Sequence, residues 1–220
     1  FCVVDLSNFY LDIAKDRLYV SAPSDSRRRS CQTVLSIVIE SFAVMISPVL
    51  SHMAEDIWQN IPYTLEESSV FRRCWPDPPD IWRDPSIDTQ MCHLRDLRSL
   101  VNRVLEECRG KQQLGASLEA AVRVEPKSKS LTDAIDWINS NGDPEVDGLR
   151  DWFLVSYLQL GGEPWAELIA SHSNVVADIE ISSARGKKCA RCWHYEMDIG
   201  EHHSYKDLCG RCTQVLSDKE

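Results

Sequence analysis

Cys189-x-x-Cys192 and Cys209-x-x-Cys212 stand sixteen residues apart near the C-terminal end of this chain. Two knuckles of this form bring four thiolates around one tetrahedral metal, with metal–sulfur bonds of about 2.3 Å. The two residues inside each knuckle let backbone amides bend towards the sulfurs. A metal replaces the hydrophobic core that so short a segment cannot build, and the spacing matches a structural zinc site. Redox CxxC pairs are the competing reading, but these prefer a helix N-terminus after a strand, a context that neither pair has. His194, His202 and His203 lie between the knuckles and offer substitute ligands. Four cysteines already complete the shell, so one closed, structural Zn is expected, with no open position for catalysis.

Arg185, Lys187, Lys188, Arg191, Lys206 and Arg211 surround the knuckles, six basic residues against four acidic ones between positions 185 and 212. The whole chain has the opposite sign, with 24 Lys+Arg against 34 Asp+Glu and a formal charge of −10. That balance excludes nucleic-acid coating by bulk charge and leaves a local basic site open. Trp193 follows the first knuckle directly. An aromatic ring flanked by Arg and Lys suits unpaired bases and their phosphates. Equally, the ring would serve to cover the small metal core.

The other five cysteines (Cys2, Cys31, Cys74, Cys92, Cys108) are isolated, and an odd total of nine does not make a disulfide framework, which favours a reducing compartment. The longest apolar stretch, Val34 to Leu50, is interrupted by Glu40 and Pro48 and is shorter than a membrane span needs. The chain therefore reads as soluble. With Phe1 in first place and no basic-then-apolar leader, it also reads as a piece of something longer.

Helical spacing in residues 1–60 predicts three helices. The first is capped by Asp5 or Ser7 and runs to Tyr19. The second spans Arg27 to Ile46 and is apolar on so many faces that a central place in a bundle is expected. Ser47-Pro48 should open the third, which ends near Trp58. Five of the ten prolines lie between Ile61 and Ile87, predicting an irregular crossover held down by Trp75 and Trp82. A fourth helix, capped by Asp88 or Thr89, runs to Arg109 with Leu94, Leu97, Val101, Val104, Leu105 and Cys108 on one side and Arg95, Arg98 and Arg109 as a solvated flank. Glu55 and Asp56 read as helix-surface acids. Arg27-Arg28-Arg29 opposes the helix dipole, which hints at a phosphate partner, although a loop-end charge run explains it as well.

After Gly115 the pattern becomes mixed. A strand is expected over Leu118–Val124, a helix from Ser130 to Asn141-Gly142, an apolar run at Phe153–Leu160, a brief helix from Glu163 to Ala170, and an alternating strand over Val175–Ile181. The fold class expected is mainly α: a helical bundle (1–112), a small α+β module (113–183) and a four-cysteine zinc finger (184–220).

Several blocks carry a family resemblance. Ser7-Asn8-Phe9-Tyr10-Leu11-Asp12-Ile13-Ala14-Lys15-Asp16-Arg17-Leu18-Tyr19 resembles the start of the anticodon-binding helical domain of isoleucyl-tRNA synthetases. Ser47-Pro48-Val49-Leu50 through Ala54-Glu55-Asp56-Ile57-Trp58 is similar to that domain's proline-started helix. Asn102, Leu105-Glu106, Arg109 and Leu114-Gly115-Ala116-Ser117-Leu118-Glu119-Ala120 resemble its next block. Lys188-Cys189-Ala190-Arg191-Cys192-Trp193-His194, closed by Cys209-Gly210-Arg211-Cys212, resembles the C-terminal zinc finger of the bacterial and organellar type. One departure is Gln112 where a lysine is usual, with Lys111 beside it.

The resemblance implies the tRNA-reading part of an isoleucine–tRNA ligase, with Trp193 near the anticodon and Arg191, Lys187 and Lys188 near phosphate. Lys15 and Arg17 on the first helix are further candidates, against a plain pairing with Asp12 or Asp16. Neither a His-x-Gly-His nor a Lys-Met-Ser-Lys-Ser motif occurs. No catalytic residue is therefore expected here, and ATP-dependent aminoacylation would belong to a core outside this chain. The implied partners are that core and isoleucine tRNA, with the chain a monomer, no membrane, and a cytoplasmic, chloroplast or mitochondrial location. Two other readings remain: the DNA-binding finger of a repair-type protein, and a zinc-stapled protein-interaction scaffold.

Overall fold

The computed structural model describes residues 1–141 and 148–217. The chain divides into two compact units, one made of Phe1–Val20 with Pro85 onward, the other of Ser21–Asp84.

The first unit begins with π-helical turns over Cys2–Leu11, where the Leu6 amide reaches back to the Phe1 carbonyl. They continue into α1 (Asp12–Tyr19), which buries Ile13 and Ala14. Winding starts before Asp5, so neither Asp5 nor Ser7 caps it. Asp5 instead accepts from Arg95 Nη2 at 2.6 Å.

In the second unit, Asp25 caps α2 (Ser26–Ile46), its carboxylate accepting from the amides of Arg27 and Arg28. That capping charge offsets part of the clash between Arg27–Arg29 and the helix dipole. The central position expected for α2 is not found. Only Cys31, Ala43 and Val44 are buried, while Val34, Ile37 and Met45 lie exposed. By length and composition alone, Ser26–Ile46 suffices to cross a membrane, which the shorter Val34–Leu50 count had missed. Its C-terminal end packs instead with Ala54, Trp58 and Val70 in a small core.

Ser47 ends α2 rather than opening the next helix, and α3 (Ser51–Gln59) starts one turn late. The crossover has only single turns at Val70–Arg72 and Asp80–Trp82. Trp75 and Trp82 are exposed and do not pin it. Trp58 does, donating from Nε1 to the Glu67 carbonyl at 2.9 Å. Glu55 is not an idle surface acid, for its Oε2 accepts from Ser69 Oγ and the Val70 amide. Hydrogen bonds, that from Gln59 foremost, hold its carboxyl below the usual range.

Back in the first unit, α4 (Pro85–Gly110) begins at its proline, three residues before the expected cap, because a missing N–H costs nothing at that position. Its apolar side is buried as expected. Arg98 departs from the solvated flank and is itself buried.

A four-stranded sheet follows in the order β2-β1-β4-β3. Its strands are β1 (Ala120–Pro126), β2 (Tyr157–Leu160), β3 (Ala170–Ser173) and β4 (Ala177–Ser183). Between the parallel neighbours β1 and β2 run α5 (Lys129–Asn141) and the short α6 (Leu149–Phe153). Gly142, the expected stop of α5, lies outside the described residues. The helix expected at Glu163–Ala170 is absent, and Ala170 opens an edge strand instead. Val122, Val124, Ile179 and Ile181 point into one core with the apolar sides of α4 and α5, as period-2 alternation requires.

The chain ends in the hairpin β5 (Lys187–Lys188) and β6 (Tyr195–Glu196) and the helix α7 (Gly210–Ser217).

Candidate metal centre and nucleic-acid interface

Hairpin β5–β6 carries the first knuckle and the N-terminus of α7 carries the second. The second pair thus does stand at a helix N-terminus, contrary to expectation, although no strand leads directly into it. The chain turns back between Lys188 and Tyr195 because Trp193 takes the left-handed conformation at φ 68°. Its amide donates to the Cys189 carbonyl at 3.0 Å, and the Cys189 amide donates to His194 O at 2.8 Å. Gly186 precedes this turn at φ 95°, and a Cβ there would run into the Glu196 carbonyl. Gly186→Ala therefore combines left-handed strain with a backbone clash, and the finger is expected to lose about 2 kcal/mol, measured as faster metal release to a chelator. Gly110→Ala, where nothing lies within 4 Å, is the silent control.

The sulfurs of Cys189, Cys192, Cys209 and Cys212 lie within 4.8 Å of one another, all four residues buried. The Cys209 amide donates to Cys189 Sγ at 3.4 Å, the bend that the knuckle spacing implies. Four buried thiolates this close repel one another too strongly to coexist without a cation. Hydrogen bonds from its neighbours lower the Cys192 pKa, and the same proximity raises Cys209 and pushes Cys212 up to about 11. A divalent ion removes this conflict by taking all four as thiolates. The donor set, four soft sulfurs and no open position, fits zinc in a structural role.

None of the three histidines competes for that place. His194 is buried against Arg150, whose Nη2 lies 3.0 Å from Nδ1, and burial holds it neutral with a pKa of about 4. His202 sets Nε2 3.1 Å from the Asp198 carboxylate, which also accepts from the Gly210 amide at 2.6 Å. Among the described residues, the four cysteines alone form a metal-ligating group that excludes carboxylates and imidazoles.

The basic rim divides into two kinds of residue. Lys187 and Lys188 are exposed on β5, and Lys188 Nζ stands 5.7 Å from the centre of the Trp193 ring, itself 60% exposed. A tryptophan that covered the metal core would be buried, as Ile199 and Val20 are. Arg191 and Arg211 instead turn inwards. Arg191 donates to Cys212 Sγ at 3.6 Å and to the Tyr19 carbonyl at 3.4 Å. Arg211 grips Asp16 with both Nη atoms, at 2.7 and 2.8 Å. Lys15 is exposed and pairs with Asp12 at 2.9 Å, and Arg17 is half-buried on the same helix. Sequence reasoning offered Asp16 only as a partner on its own helix and missed its pairing with Arg211. Asp16 lies 195 residues from Arg211, and no local signal links them.

A family model for the anticodon-binding domain of tRNA ligase matches residues 1–125, more than half of the chain. The chain belongs to that family. A second model, the zinc finger found in FPG and IleRS, matches residues 186–215. The finger is thus of a shared type, and the anticodon-binding domain ahead of it sets aside the repair-type reading. This anticodon-binding chain is 65% identical over 216 residues to an isoleucine–tRNA ligase of Prochlorococcus marinus strain MIT 9313. It is 64% identical to one from Synechococcus sp. strain CC9311. A third, from Prochlorococcus marinus strain MIT 9312, is 49% identical over 217 residues. These matches cover 98 to 99% of the chain and 22% of each relative. The four-cysteine cluster is a structural zinc site, on the agreement of its geometry with the matched finger.

Proposed function

We propose that the chain is the tRNA-reading C-terminal portion of an isoleucine–tRNA ligase. ATP-dependent aminoacylation would be carried out by the part of the ligase that lies beyond this 22%. The observation that carries the reading is the exposed Trp193 beside Lys187 and Lys188, on a metal-stapled tip that follows an anticodon-binding domain. Unpaired anticodon bases present faces for stacking, and the two lysines stand ready for their phosphates. Arg191 on the finger and Lys15 and Arg17 on α1 are further candidates for phosphate, Arg191 with part of its donor set already used inside. Residues 1–112, 113–183 and 184–220 serve in this proposal as the helical reader, a linking module and the finger. The working form is a monomer joined to its catalytic core, in the cytoplasm or an organelle.

Binding of isoleucine tRNA, a mismatched tRNA and a DNA duplex, each titrated at several salt concentrations, tests the reading. Tight, salt-dependent binding of isoleucine tRNA above the other two is expected. Equal binding of all three, or of none, overturns it, and the latter outcome returns the scaffold reading. Trp193→Ala is expected to weaken tRNA binding by about 1–3 kcal/mol, the usual worth of one stacked base, with zinc content unchanged.

A further inference from the structure

We propose that Arg191 and Arg211 join the metal shell and the last turn of α1 into one cooperative unit, so that metal binding and the ordering of Asp12–Val20 depend on each other. This rests on the zinc site and is independent of tRNA reading.

Each arginine sits inside one CxxC loop and reaches α1, and Arg191 also reaches a ligand sulfur. Arg191 donates to Cys212 Sγ and to the Tyr19 carbonyl. Arg211 holds Asp16 in a two-point pair, and its charge acts on the Cys192 thiolate. Four thiolates around a divalent ion leave a net charge of −2, and two guanidinium groups beside them offset it. Partners that touch metal ligands in this way tune the site as ligand-orienting groups do elsewhere. Asp16 fixes Arg211, and with it the second CxxC loop, in a place where the carboxylate side chain is only 11% exposed. Val20 completes the link, buried in one cluster with Cys189, Cys192, Ile199, Cys209 and Cys212.

The consequence runs both ways. With the metal gone, the knuckles no longer fix the two arginines, and Asp16 is left as a poorly hydrated carboxylate without its partner. Such a group is costly, so the last turn of α1 must open to water. Conversely, losing the Asp16 charge frees Arg211 and loosens the Cys209–Cys212 loop that carries it. The sheet has no part in this link. The separate ties between finger and module, the Tyr195 amide to Ser156 Oγ and Arg150 to Glu196, do not pass through α1.

Two measurements on the full 220-residue chain test this. In the first, zinc transfer to a chromogenic chelator is timed for the parent and for Asp16→Asn, with folding checked by circular dichroism. Release about tenfold faster in the variant is expected, at the lower end of what ligand-orienting partners contribute; a rate within about twofold of the parent overturns the coupling. In the second, hydrogen exchange is followed on the unaltered chain before and after zinc is stripped. Amides of residues 13–20 are expected to lose protection about tenfold or more while those of β1 and β4 keep theirs. Full protection of residues 13–20 without metal, with the finger open, overturns the proposal. This second arm decides the matter even where the Asp16→Asn chain fails to fold.

Discussion

Cys209→Ser will strip the metal from the finger and unfold residues 186–215 while the sheet and α4 remain folded. The segment buries little besides its own ligands: its core consists of Val20, Ile199 and the four cysteines, with Leu208 against them. Its structure therefore stands on metal binding. In zinc-finger peptides that binding is worth about 10–16 kcal/mol in apparent terms at neutral pH. A serine oxygen is a far poorer ligand than a thiolate for this ion, and the substitution also removes the sulfur that faces Cys192 Sγ at 3.7 Å. Metal analysis after gel filtration against a mild chelator is expected to fall from one zinc per chain to well under half. Amide signals of β5, β6 and the start of α7 should collapse with it. Retention of a full equivalent, or a finger that stays folded without metal, would contradict the structural role assigned to this site. The other large core, built on α4, α5 and the sheet, shares none of these residues, which is why its signals should persist.

Arg98→Ala will cost the first unit about 2–4 kcal/mol, because a buried hydrogen-bonding fork is removed and its acceptors stay behind. Nε donates to the Trp152 carbonyl at 2.7 Å, Nη1 to the Asn8 carbonyl at 3.1 Å, and Nη2 to Asp12 Oδ2 at 3.0 Å. The guanidinium also stands 5.4 Å from the centre of the Phe9 ring, which meets Trp152 edge-on at 5.2 Å. One side chain thus ties the π-helical entry, α1, α4 and α6 together. Asp12 is 31% exposed, so water relieves part of its loss, and the estimate stays below the cost of breaking a fully buried pair. At about 2–4 °C per kcal/mol for a chain of this size, a melting temperature lower by roughly 4–16 °C is expected. Arg98→Lys should recover only a minor part, since a point charge cannot reach three acceptors in separate directions. A loss below about 1 kcal/mol in Arg98→Ala would show that Arg98 is a passenger in the core.

The sequence by itself determined the metal centre. A CxxC pair repeated at the right separation is a chemical statement that needs no tertiary knowledge, because each knuckle forms locally and the ion closes the shell. Periodicity likewise located α2, α4, α5 and the alternating strand β4 to within a few residues. For α4, α5 and β4 the buried side is written in the spacing as well, whereas the apolar faces of α2 stay largely exposed. The boundaries slipped where a proline has two uses. Pro48 was read as a helix start and lies in a turn, whereas Pro85, within the predicted crossover, begins α4.

Only the tertiary structure decided which polar residues turn inwards. On a helical wheel Arg98 is indistinguishable from Arg95, and burial came from Trp152, Asn8 and Asp12 meeting it from elsewhere in the chain. The basic residues around the knuckles looked equivalent in sequence, yet Lys187 and Lys188 remain outside while Arg191 binds a ligand sulfur and α1 and Arg211 binds α1. The physical reason is the same in both cases. Local spacing fixes what an element offers, but an ion pair such as Asp16–Arg211 exists only once the fold has brought two distant helices within hydrogen-bonding distance.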